Sequence, residues 1–143
     1  MDVRLEREAL NGYLDDVFPQ IRGRVRAIDV APGVVRAEYL AAEGDLRPGG
    51  TVSGPAMFML ADCAFYMVVL SALGREALAV TTNCSINFLR KPAPGRLEAE
   101  ARILKLGKTL CVGDVLIRSA GVAGPVAQAS LTYSIPPRRS DMG

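Results

Sequence analysis

The sequence predicts an α+β domain in which an antiparallel sheet wraps one long, buried helix. Three observations predict it. Residues 56–73 are apolar or small on every side of a helix, with only Asp62, Tyr66 and Ser71 as exceptions. Stretches with strand character flank this segment, two before it and four after it. No other segment of comparable length reads as a helix, so strands must cover the buried one.

The elements follow in order. From about residue 3 to 18, Leu5, Ala9, Tyr13 and Val17 recur at four-residue spacing among charged residues. That spacing predicts a peripheral amphipathic helix, which Pro19 ends. Residues 24–30 and 34–40 read as two short strands around the turn pair Pro32-Gly33. A loop rich in glycine, proline and charge, residues 41–50, delivers the chain to the central helix. There Ser53 is placed to cap, Pro55 suits the first turn, and Gly74 suits the end.

Residues 79–89 then alternate with period two. Val80, Thr82, Cys84, Ile86 and Phe88 fall on one face, and Thr81, Asn83, Ser85 and Asn87 on the other. In the next strand, 97–106, Glu98, Glu100 and Arg102 are expected outward against Leu97, Ala99, Ala101 and Ile103. Gly107-Lys108 makes a hairpin turn into 110–118, and a glycine-containing loop leads to 126–135. Residues 138–143 read as a loose tail. All 143 residues are expected to form one domain.

Composition narrows the function. The formal net charge of +2 gives no electrostatic reason for a nucleic-acid partner. The three cysteines, Cys63, Cys84 and Cys111, have no disulfide or metal-ligand spacing, so no metal is expected and a reducing cytoplasm is. The opening MDVRLEREAL does not read as a signal peptide. The central helix is close to the ~20 residues that span a bilayer. Asp62 in its middle opposes that reading by roughly 2.5–3.5 kcal/mol, and the strands around it supply a protein core instead. No membrane partner is expected.

The chain contains no histidine. Ser-His-Asp and Cys-His catalysis, and the HExxH metal site, are therefore excluded. Asp62 is the only charged residue between Arg47 and Arg75. A carboxylate so placed must be hydrogen-bonded, paired or used, which makes it the first functional candidate. Cys63 points about 100° further round the helix and reads as core. Arg90, Lys91 and Lys108 lie at strand ends, where cations form anion sites.

These residues resemble a family. Gly50-Thr51-Val52-Ser53-Gly54, followed by Leu60-Ala61-Asp62-Cys63-Ala64, is similar to the glycine loop and helix motif of the hotdog-fold acyl-CoA thioesterases of the PaaI-like type. Ile86-Asn87-Phe88-Leu89-Arg90, Pro92, Pro94-Gly95 and Leu106-Gly107-Lys108-Thr109 resemble that family's later motifs. The resemblance covers about residues 45–135. It implies hydrolysis of an acyl-CoA thioester, with Asp62 as general base or nucleophile and the Gly54 backbone N–H polarising the carbonyl. It adds a strand hydroxyl, mapping to Thr81, with Thr82 as the fallback.

The resemblance also implies no cofactor beyond the CoA of the substrate. It implies a homodimer or homotetramer with Asp62 and Gly54 from different subunits. Three positions depart from the family pattern. Its histidine is Ser53 here, its second glycine is Pro55, and an asparagine earlier in the loop falls at Arg47. A non-catalytic acyl-CoA-binding protein is the alternative that these departures motivate.

Overall fold

The structure, a computed structural model, describes residues 1–137. The expected tail at 138–143 lies outside the described residues. Helix α1 spans Arg7–Val17, strands β1 and β2 span Val25–Ala31 and Val34–Leu40, and α2 spans Gly54–Leu73. Strands β3 (Val80–Phe88), β4 (Arg96–Leu106), β5 (Leu110–Ser119) and β6 (Ala127–Ser134) follow. The six strands form one sheet in the order β1-β2-β4-β5-β6-β3, with every pair antiparallel.

The sheet curls around α2, which packs on all six strands. The start of α2 is built as expected. The Ser53 hydroxyl accepts from Ala56 N–H at 3.3 Å, and Pro55 occupies the first turn. Gly74 ends the helix at φ 94°, a conformation costly for any residue with a Cβ. The helix is long and apolar enough to cross a membrane, but 83% of that stretch is buried inside the fold.

The close approach of helix and sheet depends on small residues. Ala27, Ala37, Ala99 and Ala101 face inward and are fully buried. Phe65, Leu60, Met67 and Leu70 of α2 fill the space above them. On the outer face of the sheet, Arg36 pairs with Glu98 and Arg96 with Glu38, both at 2.9 Å. The alternation expected in β4 is therefore the one observed.

Two expectations are corrected. The first helix begins at Arg7 rather than near residue 3, because the N–H groups of Arg4 and Leu5 donate to Ser71 O of α2, at 2.7 and 3.3 Å. Its buried face is Leu10 and Leu14, while Ala9 and Val17 are exposed. Asn11 fixes this rotation by exchanging two hydrogen bonds of 2.9 Å with the Ala27 backbone.

Strand β3 also departs from strict alternation. Its register against β6 shifts between Thr81 and Asn83, so Thr82 is an extra, bulged residue. The bulge puts Thr81 on the helix-facing side with Cys84 and Ile86. Val80 and Phe88, expected on one face with Cys84 and Ile86, are more than half exposed. Strand β3 ends the sheet, with β6 as its one neighbour, and its outer edge is unpaired among the described residues.

Gly113 of β5 marks the tightest point of the enclosure. A Cβ there would collide with the Arg102 carbonyl and the Phe65 ring. Gly113→Ala is expected to lower stability by about 1–3 kcal/mol through overpacking. Denaturant unfolding checks this, and an unchanged midpoint would show that the sheet can yield at that position.

Candidate active site

Asp62 sits in the middle of α2 on the side facing β3 and β6. Two hydroxyls converge on one of its oxygens. Thr81 Oγ1 donates to Oδ1 at 2.6 Å, and the Tyr133 hydroxyl donates to the same atom at 2.7 Å. The Tyr133 hydroxyl also lies 3.0 Å from the Asp62 backbone carbonyl. Among the described residues no donor reaches Oδ2, yet no buried side-chain oxygen is left without a partner. Oδ2 is therefore the oxygen that opens to the adjacent cavity.

That cavity has a volume of about 380 Å³ and is lined by Asp62, Thr81 and Tyr133 together with apolar side chains. Burial, and then the neighbouring Asp62 charge, push the Tyr133 phenol well above its ordinary range. The same two causes, in the same order, push the Cys63 thiol up to about 12. Both groups stay protonated near neutrality. Tyr133 remains a donor, and Cys63 is not a nucleophile.

A second cavity, of about 340 Å³, lies at the N-terminus of α2. It brings together Gly54, Arg47, Arg90 and Lys91, with Phe88 across from Gly54. Among the described residues no group accepts from the Gly54 N–H, as is usual in the first turn of a helix. Arg90 is held by a 2.7 Å bond to Pro125 O. Arg47, Arg90 and Lys91 make no ion pair among the described residues, so their charges remain available to an anion.

The loop that presents this end of α2 is pinned by Asp45. Its carboxylate accepts from Arg24 at 2.8 Å and from Ala42 N–H at 2.9 Å, and its carbonyl accepts from Ser53 N–H at 2.8 Å. Burial acts to raise the Asp45 pKa, but its bonds with Tyr39, Ala42 and Arg24 outweigh it and the net shift is downward.

The structure thus sorts the sequence candidates into two groups within one protomer. Asp62 and Thr81 meet at one cavity, and Gly54, Arg47, Arg90 and Lys91 meet at the other. Gly54 precedes Asp62 by eight helical residues, about 12 Å along the axis. Lys108 joins neither group. It lies in the β4–β5 hairpin, at the end of the sheet where β3 begins. Thr82 donates instead to Thr132 O, outside the site.

Sequence reasoning misses Tyr133. Its signal is weak, because a tyrosine in an alternating strand reads as ordinary core. Sequence reasoning also misses the aromatic row that Tyr133 starts. Its ring stacks on Tyr66 at 6.1 Å, and Tyr66 meets the edge of Phe18 at 6.2 Å.

Residues 49–133 match the family model of the thioesterase superfamily, and the chain belongs to that superfamily. Its sheet-wrapped helix is the hotdog fold. A structure of a Silicibacter protein provisionally named a thioesterase is 52% identical, covers 96% of both chains and superposes with a TM-score of 0.89. A point mutant of the phenylacetic acid degradation protein PaaI from Thermus thermophilus is 25% identical, over 82% of this chain and 99% of that one, with a TM-score of 0.72. A Deinococcus radiodurans protein provisionally named an esterase is 35% identical over 92 residues, which are 64% of this chain and only 60% of that protein. Within the superfamily the chain is PaaI-like.

Ser53, at the position of the family's histidine, has its hydroxyl engaged as a helix cap. Ser53→Ala is therefore expected to lower stability by about 1 kcal/mol. A thermal melt measures it, and an unshifted Tm would show that the cap contributes nothing.

Proposed function

We propose that this protein hydrolyses an acyl-CoA thioester to the free acid and CoA, with Asp62 as its reacting carboxylate. The observation that carries the reading is the double hold on Oδ1, which leaves Oδ2 open to the cavity. A carboxylate fixed by two neutral donors keeps one oxygen aimed and ready, without an imidazole. In one route Oδ2 takes a proton from the attacking water, the C–S bond breaks, and that proton passes to the departing CoA sulfur. In the other Oδ2 itself attacks the thioester carbon and CoA leaves as the thiolate, which solvent protonates. Water then hydrolyses the acyl–Asp62 anhydride to the free acid and restores the carboxylate.

The developing oxyanion needs donors. The Gly54 N–H, at the positive end of α2, is the donor suited to it. The rim cations Arg47, Arg90 and Lys91 suit the phosphates of CoA. Within one protomer these groups lie at the far end of the helix from Asp62. The unpaired edge of β3 reconciles the two. An antiparallel pairing of β3 with a second copy sets its Thr81 end beside the Phe88 end of the other strand. Asp62 of one subunit then meets Gly54 of its mate, and the exposed Val80 and Phe88 are covered. This reading makes the active unit at least a homodimer.

One observation favours a second reading, an acyl-CoA-binding protein without turnover. Ser53 replaces the family's histidine, and its hydroxyl is occupied by the cap. Release of free thiol from an acyl-CoA panel supports hydrolysis, and binding without release supports the alternative.

Three further measurements test the leading reading. Asp62→Asn is expected to reduce thiol release by about 10²–10⁴-fold while leaving fold and binding intact. Near-wild-type turnover would make Asp62 structural. Tyr133→Phe removes a bond to a charged acceptor, so kcat is expected to fall roughly ten-fold or more with little change in KM. In light scattering the protein is expected to be dimeric or larger at micromolar concentration, and a monomer would remove the shared site.

A further inference from the structure

Val17 and Phe18 lie outside the segment matched by the superfamily model, residues 49–133, yet they line the Asp62 cavity. They belong to the C-terminal end of α1, where Pro19 stops the helix. Leu10 and Leu14 anchor that helix in the core, and Tyr13 OH accepts from Ala77 N–H at 3.1 Å. The end of α1 is thus a fixed wall.

The path from the carboxylate to this wall is aromatic. Tyr133, which holds Asp62, stacks on Tyr66, and Tyr66 meets Phe18 edge to face, in steps of 6.1 and 6.2 Å. The Tyr66 hydroxyl is satisfied by donating to Ala77 O at 2.8 Å. Ala77, Ala79 and Val80 complete the lining. Among the described residues of one protomer, Asp62 is the one charged side chain of this cavity, and no cation lines it. A volume of about 380 Å³ is at the small end for ligand pockets, which run from roughly 300 to 1,000 Å³.

We propose that this cavity is the acyl pocket, that Phe18 and Val17 close its far end and set chain length, and that its substrate is the thioester of an uncharged, short- to medium-chain monocarboxylic acid. The inference rests on the hydrolytic reading above and adds the acyl class to it. A terminal carboxylate would be desolvated there beside Asp62, with no cation among the described lining residues to pair it. An apolar chain buries its methylenes against the rings instead.

The test is a series of straight-chain acyl-CoAs from butanoyl to palmitoyl, with succinyl-CoA added, assayed by thiol release. Wild type is expected to peak at short to medium chains and to reject the succinyl thioester. Phe18→Ala is expected to move the peak to longer chains, with kcat/KM beyond the wild-type limit rising roughly ten-fold or more. Phe18→Trp is expected to move it to shorter ones. If the alanine variant does not fold, Phe18→Leu, with a smaller opening, takes its place.

A length profile that none of the folded variants shifts overturns the proposal, as does a preference for succinyl-CoA. The same series as non-hydrolysable CoA thioethers, measured by calorimetry, separates the two readings. A wild type that hydrolyses nothing overturns the hydrolytic reading, while thioether affinities still report the wall. Failure to bind any thioether, or an unshifted affinity profile, overturns the pocket.

Discussion

A helix that is apolar on all sides has no stable position in water, and the rest of this structure follows from hiding it. Every strand contributes one face to that enclosure. Buried alanines on the inner faces of β1, β2 and β4 let the sheet approach, and Gly113 leaves no room even for a methyl group. The enclosure also explains why Asp62 is so well supported. In the middle of such a helix a carboxylate has no salt-bridge partner within reach. Hydroxyls from the two strands that pass beside it, β3 and β6, supply the bonds instead. The demand for a buried helix and the support of its one carboxylate are met by the same strands.

Much of this is legible in the residues. The central helix, its cap at Ser53 and its end at Gly74 follow from composition and local backbone chemistry. The two faces of β4 follow from alternation. What alternation does not show is the bulge at Thr82. Strict period two places Thr81 away from the helix, and one extra residue reverses that. Thr81 is a candidate through the family resemblance, mapped by its spacing to Phe88 rather than by strand alternation. The face of α1 is misread from spacing because four-residue recurrence fits two overlapping stripes. Tertiary partners, Asn11 on Ala27 and the N-terminal backbone on Ser71, choose between them. Tyr133 is illegible because its role depends on a partner 71 residues away in the sequence.

The two cavities divide the labour along one helix. The N-terminal end carries backbone donors, the helix dipole and three cations that make no ion pair among the described residues, all suited to negative charge. The middle carries the carboxylate and an apolar, aromatic surround. Keeping these apart within a protomer avoids neutralising Asp62 against Arg47, Arg90 or Lys91. Such an ion pair would tie up the Asp62 oxygen that the proposed hydrolysis uses. In that proposal, pairing two copies along the edge of β3 brings the two ends together only after each chain has folded.

The absence of histidine then has a specific consequence. In a site with an imidazole, two groups exchange protons near neutrality and either one limits the reaction. Here the hydroxyls of Thr81 and Tyr133 act as fixed donors. Burial and the Asp62 charge keep Tyr133 protonated, and the same causes hold the Cys63 thiol up to about 12. Neither group can serve as a base or lose its proton in the neutral range. In the proposed hydrolysis Asp62 is then the one reacting carboxylate, and its geometry must do what a second titrating group does elsewhere. That proposal places the catalytic weight on the two hydrogen bonds to Oδ1, because a carboxylate free to rotate would present either oxygen, at no fixed angle, to the thioester carbon.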